Sequence, residues 1–78
     1  MIRKKKPEER KLTKIEKRVE SLPTSELLPW SEQSIYTIGR NLSNWQRTQD
    51  SAYLEEARLG ADVLHTILES LTRRHLHE

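Results

Sequence analysis

The stretch SAYLEEARLGADVLHTILESLTRRHL, residues 51 to 76, predicts the longest helix of the chain and decides its fold. Apolar or small residues recur in it at alternating steps of four and three, the spacing of one helix face; they are Tyr53, Ala57, Gly60, Leu64, Ile67 and Leu71. Leu54, Ala61 and Leu68 lie beside this stripe. The face is therefore wide enough to pack against two neighbours.

A second long helix is predicted upstream, from residue 31 to about residue 48. Ser31 is a good N-cap, and Trp30 precedes it at the position of a hydrophobic staple. The apolar face of this helix is predicted to consist of Ile35, Ile38, Leu42 and Trp45. The turn that follows is short, with Asp50 as the N-cap of the next helix, so the two helices form an antiparallel hairpin over residues 31–78.

The remaining segments are shorter. Residues 1–6 are predicted to be a basic flexible arm, residues 7–22 a short amphipathic helix, and residues 23–30 a linker bounded by Pro23 and Pro29. The stripe of the short helix is Leu12, Ile15, Val19 and Leu22. We thus predict an all-α protein, in which the hairpin and the N-terminal helix form a three-helix bundle or the hairpin dimerises into a four-helix bundle.

Self-association is one expected source of stability. The chain has 78 residues and no cysteine, and a core of this size is marginal without disulfides, a metal or a second chain. The last helix is predicted to extend beyond its shorter neighbour. The apolar residues at its far end must then be covered by the N-terminal helix or by a second copy.

The two glycines of the chain predict a close helix crossing. Gly39 precedes Gln49 by ten residues and Gly60 follows it by eleven, so the hairpin brings them to nearly the same height. A glycine inside a helix costs about 1 kcal/mol relative to alanine. We therefore expect Gly39, Gly60 and Ala61 to form the helix crossing, with Ile38 seated against the last two.

Catalytic motifs are absent from the sequence. There is no glycine-rich phosphate loop, nucleophile elbow or HExxH motif. Asp62 and His65 have the spacing of a metal-binding pair, but we expect them at the margin of the helix face. We predict no enzyme activity, no cofactor, no metal site and no transmembrane segment. Because the chain lacks cysteine and a secretory signal, we expect a cytoplasmic location.

The charge distribution is lopsided. Residues 1–18 hold nine Lys or Arg against three Glu, a net charge of +6, whereas the remaining residues carry a net charge of −4. Such a basic arm is typical of phosphate contacts, for which the candidates are Arg3, Lys4, Lys5, Lys6 and Arg10. The alternative is a solvated tail that folds back on the acidic body.

The second helix is unusually poor in charge. Between Gln33 and Gln46 one residue in fourteen is charged, although a third of the chain is. Protein interfaces are depleted of Lys, Glu and Asp and enriched in Tyr, Trp and Arg. The predicted partner surface is Tyr36, Arg40, Ser43, Asn44 and Arg47. The alternatives are that the N-terminal helix covers this surface or that the low charge arose by chance.

Two functions are consistent with these patterns. The first is a small non-enzymatic protein-protein interaction or assembly module, whose partner is another protein or a second copy of itself. The second is a nucleic-acid-associated protein that uses its basic arm for phosphate contacts. The acidic body and the heptad pattern of the last helix argue against base reading by the hairpin itself.

Overall fold

The computed structural model describes residues 7–77, with side chains from residue 14 onward, and folds them into three helices. Helix α1 spans Pro7–Ser21, α2 spans Thr24–Thr48 and α3 spans Ser51–Leu76. Helices α2 and α3 pack along each other as an antiparallel hairpin, and α1 packs against α3. The predicted all-α class and the predicted hairpin are confirmed. No strand occurs among these described residues.

Helix α2 begins earlier than the sequence predicts. Residues 24–30 are not a linker but the first two turns of α2, and the amides of Glu26 and Leu27 donate hydrogen bonds to the Pro23 carbonyl. Pro29 lies inside this helix, where it removes one backbone hydrogen bond. Ser31 is consequently not an N-cap, and its hydroxyl instead donates to the Leu28 carbonyl at 2.7 Å.

Burial explains why the helix continues through Pro29. Leu27 is fully buried, and Trp30 packs against the same core. Burying a leucine side chain contributes about 1.5–3 kcal/mol, which offsets much of the cost of a proline within a helix. A single helix places both side chains on the core, whereas a loop would leave their backbone without regular hydrogen bonds.

The earlier start also sets the rotation of α2. Leu27 and Ser34 are both buried and stand seven residues apart, so the line through them faces α3. The sequence-based prediction that Ile35 and Leu42 pack against α3 is wrong, because these side chains are 57% and 45% exposed. Leu27, which the sequence predicts to lie in a linker, occupies the face that these two residues were expected to supply.

Two polar side chains of α2 that lie toward α3 form hydrogen bonds within their own helix. Ser34 donates its hydroxyl hydrogen bond to the Trp30 carbonyl at 3.0 Å, and the Asn41 amide donates to the Thr37 carbonyl at 2.8 Å. Small side chains that bond to their own helix let the two backbones approach without leaving a polar atom unpaired. Packing here is therefore close although the contact is not purely apolar.

The apolar core lies at the end of the bundle where all three helices meet. Val19, Leu27 and Ile67, one from each helix, are fully buried. Partly buried residues surround them, namely Ile15, Leu22, Trp30, Val63 and Leu71. The predicted stripe of the N-terminal helix thus faces the core from Ile15 onward, and the side chain of Leu12 lies outside the described residues.

Two arginines of α3 hold the end of α1. The Arg74 guanidinium donates to the Val19 carbonyl and to the Thr24 hydroxyl, both at 3.1 Å. Arg73 pairs with Glu20 at 2.8 Å between Nη2 and Oε2. Its hydrogen bond lowers the pKa of the Glu20 carboxyl below the ordinary value of 4.5. Cations at the carbonyl end of a helix are favourable, so Arg74 ties α1 to both other helices.

The turn between α2 and α3 is two residues long. Gln49 adopts a left-handed conformation with φ 62° and donates its amide to the Trp45 carbonyl. The Asp50 carboxylate then accepts a hydrogen bond from the Ala52 amide at 3.0 Å. The predicted N-cap of the last helix is confirmed, and this tight connection fixes the register of the hairpin.

Candidate interaction surfaces

The helices cross closely at Gly60. A Cβ atom built there would lie 3.0 Å from Cγ1 of Ile38 and 3.7 Å from the carbonyl oxygen of Ser34. The Ile38 side chain therefore occupies space that any larger residue at position 60 would need.

Gly39 and Ala61 lie outside the helix crossing at Gly60. Both are exposed, and a Cβ at Gly39 would meet no described atom within 4 Å outside its own helix. Gly39 therefore takes no part in the crossing that the sequence predicts for it. The reason is the rotation of α2 set by Leu27, which turns Gly39 away from α3.

The hairpin has two different sides. Gln33 and Leu59 line one shallow groove, and they immediately precede Ser34 and Gly60, the residues that face each other between the helices. Successive helical residues are rotated by about 100°. The residues that follow, of which Ile35 is one, therefore emerge on the opposite side of the hairpin. We call the first the groove side and the second the open side.

Helix α1 lies on the groove side. Trp30 and Val63 line the groove, and both also pack against the core cluster that contains Val19 of α1. The groove side is thus partly covered within the chain.

The open side carries exposed apolar residues on both helices. On α2 they stand seven residues apart, and so they do on α3; the two sets are Leu28, Ile35 and Leu42, and Leu54, Ala61 and Leu68. The five larger side chains are 38% to 57% exposed. The sequence predicts the second set beside the main stripe of α3. It does not predict the first set as an exposed surface, because it assigns Ile35 and Leu42 to the face of α2 that packs against α3.

The predicted partner surface of α2 lies away from α3. Tyr36 is 66% exposed, Arg40, Ser43 and Arg47 are also exposed, and Asn44 is partly buried. The Arg47 guanidinium donates a hydrogen bond to the Asn44 side chain one turn earlier. Helix α1 packs against α3 rather than on this stripe, so the alternative that α1 covers it is contradicted. We call these five residues the polar stripe.

The basic arm lies largely outside the described residues. This applies to Arg3, Lys4, Lys5 and Lys6 and to the side chain of Arg10. Their contact with phosphate remains a prediction from the charge pattern.

Of the two residues with metal-ligand spacing, His65 contacts a side chain of its own helix. His65 Nε2 lies 3.2 Å from Glu69 Oε2 one turn later, and both side chains are mostly exposed. The Asp62 carbonyl accepts a hydrogen bond from the Thr66 hydroxyl. Within the part of the chain that the structure describes, no group of three or more Asp, Glu or His residues is placed to hold a metal ion.

None of the three described helices is long and apolar enough to cross a membrane. Comparison with protein-family models, curated proteins and solved structures found no match for this chain. The described structure is a helical hairpin with a short helix on its groove side and an apolar surface on its open side.

Proposed function

We propose that this chain is a non-enzymatic protein-interaction or assembly module whose open side binds another protein or a second copy of the chain. The observation that supports this proposal is the row of exposed apolar residues on both helices of the hairpin. Contiguous apolar patches on a protein surface are typical of interaction sites. Seven-residue spacing on each helix suits packing against further helices, and two hairpins joined in this way would form a four-helix bundle.

The charge pattern of α2 supports the same proposal. Arg40 is the one charged residue between Gln33 and Gln46, and it projects from the polar stripe rather than from the open side. Interface cores are depleted of charged residues because each buried charge must be desolvated. The open side can thus be covered along α2 without burying an ionised group in this stretch.

Matched variants on the two faces of α2 test the proposal. The chain is immobilised as wild type, as the Ile35→Lys, Leu42→Lys variant and as the Tyr36→Ala, Arg40→Ala variant. Each is exposed to labelled wild-type chain and to lysate of the native organism, and the bound proteins are identified by mass spectrometry. Circular dichroism checks that each variant keeps its helix content, which is expected because all four side chains are exposed.

The expected result is loss of bound protein for the lysine variant and retention for the alanine variant. Interface anchors commonly cost about 2 kcal/mol or more on truncation, which is roughly a thirtyfold loss of affinity. The opposite pattern would assign binding to the polar stripe. Equal binding by all three chains would contradict the proposal for both surfaces.

Salt dependence distinguishes the alternative function, a nucleic-acid-associated protein that uses Arg3, Lys4, Lys5, Lys6 and Arg10. Binding to duplex DNA should weaken with a log-log slope of about −0.9 per phosphate contacted. Deleting residues 1–6 should remove this binding while leaving protein capture by the open side unchanged. If deletion abolished protein capture as well, the arm and not the open side would be the principal interaction site.

A further inference from the structure

This inference rests on the proposed function and names the partner of the same site. We infer that the open side binds a second copy of the chain, with the two α2–α3 turns at the same end of the resulting bundle. In this arrangement α2 of each copy packs on α3 of the other, and Gly39 of one copy faces Ala61 of the other.

The size of the open side fits a small symmetric dimer. Helix α2 has 25 residues and α3 has 26, so each is roughly 38 Å long at 1.5 Å per residue. Two adjacent helices present a face roughly 20 Å wide. The area of this face is therefore roughly 750 Å² per chain, close to the 800 Å² or so that each partner buries in a standard interface.

Small residues lie about halfway along this face, Gly39 at its outer edge on α2, one turn from Ile35, and Ala61 between Leu54 and Leu68 on α3. Gly39 and Ala61 are both exposed and lie ten and twelve residues from Gln49, at nearly the same height on the two helices. The glycine weakens its helix by about 1 kcal/mol, yet no described atom outside its helix lies within 4 Å of where its Cβ would be. Its small size therefore serves no contact within the described chain, whereas it would let a second helix approach closely.

The apolar side chains of the two helices alternate along the length of the hairpin, so that their distances from the α2–α3 turn differ. Counted outward from the turn, the order is Leu54, Leu42, Ala61 with Gly39, Ile35, Leu68 and Leu28. When the turns of both copies are at the same end, α2 of one copy lies opposite α3 of the other at equal height. Leu42, Ile35 and Leu68 then each fall between two apolar residues of the other copy, as knobs fall into holes, and Leu54 and Leu28 at the two ends each adjoin one.

The opposite orientation fits less well. With the turns at opposite ends and the small residues in register, Leu28 would lie opposite the turn of the second copy. Like helices would also face each other. With the turns at the same end, Leu28 instead lies beside Leu68 of the second copy, and this cover favours the same-end arrangement.

Disulfide crosslinking tests both the partner and its orientation. The chain contains no cysteine, so each introduced cysteine reports on one position. Gly39→Cys and Ala61→Cys variants carrying tags of different length are refolded together under reducing conditions and then oxidised. A disulfide requires Cα atoms within about 7 Å. Gln33→Cys, an exposed position on the groove side of the same helix, serves as the control.

The expected result is a mixed Gly39→Cys with Ala61→Cys dimer at several times the yield of either homodimer, and little crosslinking of Gln33→Cys. Preferential crosslinking of each variant with itself would overturn the same-end orientation. Equal crosslinking by Gln33→Cys would overturn the open side as the contact.

The crosslinking and capture experiments together distinguish failure of this inference from failure of the proposed function. If the mixed dimer does not form while the lysine variant still loses capture of another protein, the second copy is overturned as the partner and the interaction module stands. If neither crosslinking nor capture depends on the open side, both are overturned.

Discussion

The two sides of the α2–α3 hairpin differ in how their apolar residues are used. On the groove side α1 closes a small core in which Val19, Leu27 and Ile67 are fully buried. On the open side Ile35 remains 57% exposed and Leu68 51% exposed. The same two helices therefore bury their apolar residues mainly where α1 packs and leave those of the open side largely exposed.

The adjacent residues Leu27 and Leu28 show this difference most directly. They belong to the same turn of α2, yet the first is fully buried and the second is 52% exposed. Hydrophobic stabilisation scales with the area removed from water. The two leucines therefore contribute unequally to the stability of the chain although their side chains are identical. A step of one residue around the helix separates a core position from an exposed position.

The largest expected change in the free energy of unfolding comes from replacing each of these two leucines by alanine in a separate variant. Leu27→Ala should lower the free energy of unfolding by about 2–5 kcal/mol, because it leaves a cavity in the shared core. Leu28→Ala should have a much smaller effect at low protein concentration and a larger one at high concentration. Urea unfolding followed by circular dichroism measures both, and equal losses at every concentration would remove the distinction between the sides.

The second effect concerns the two glycines. Gly60→Leu should cost about 1–3 kcal/mol of unfolding free energy, because the new side chain must displace Ile38. Gly39→Leu should not destabilise the single chain, since the space beside it is open, but it should weaken association. A higher melting temperature for Gly60→Leu would show that position 60 borders a void and not a close crossing.

The third effect concerns the attachment of α1. Arg74→Ala should cost about 1–2 kcal/mol, because it removes charge-assisted hydrogen bonds to the Val19 carbonyl and the Thr24 hydroxyl. Arg73→Ala should cost less, since its pair with Glu20 is exposed on both partners. Hydrogen exchange of the α1 amides would report the loss. Equal exchange in both variants would mean that Arg74 does not hold α1.

The smallest expected effect is a pH dependence at the contact between α1 and α3. The pKa of the Glu20 carboxyl is lowered in the folded chain, chiefly by its hydrogen bond with Arg73. The contribution of this pair is therefore present above the unfolded-state pKa and is lost as pH falls through the lower folded-state value. Comparing wild type with Glu20→Gln in melting experiments from pH 7 to pH 3 should show the two curves converging at low pH. Divergence in that range would contradict the assignment.

Much of the fold could be predicted because local signals agree with one another. The Asp50 cap, the short turn and the steps of four and three in α3 all specify a hairpin, and the structure has one. The early start of α2 could not be predicted, because Pro23 and Pro29 both favour a break in the helix. Only the tertiary burial of Leu27 overrides that preference.

The same error hid the apolar half of the candidate site. An apolar stripe predicts which residues of a helix leave water, but it does not say whether a neighbour in the chain or a second molecule covers them. Once Leu27 occupies the face toward α3, Ile35 and Leu42 are turned outward. The polar stripe was recognisable from its missing charges alone, whereas the open side required the rotation of α2.

Sedimentation velocity over a range of concentrations tests the association through the open side most directly. The wild-type chain, of 9.3 kDa, should shift toward twice that mass as its concentration rises, and Gln33→Lys on the groove side should behave in the same way. The Ile35→Lys, Leu42→Lys variant should remain at 9.3 kDa with unchanged helix content. A wild type that stays at the single-chain mass at every concentration, or a lysine variant that associates as strongly as wild type, would contradict the account.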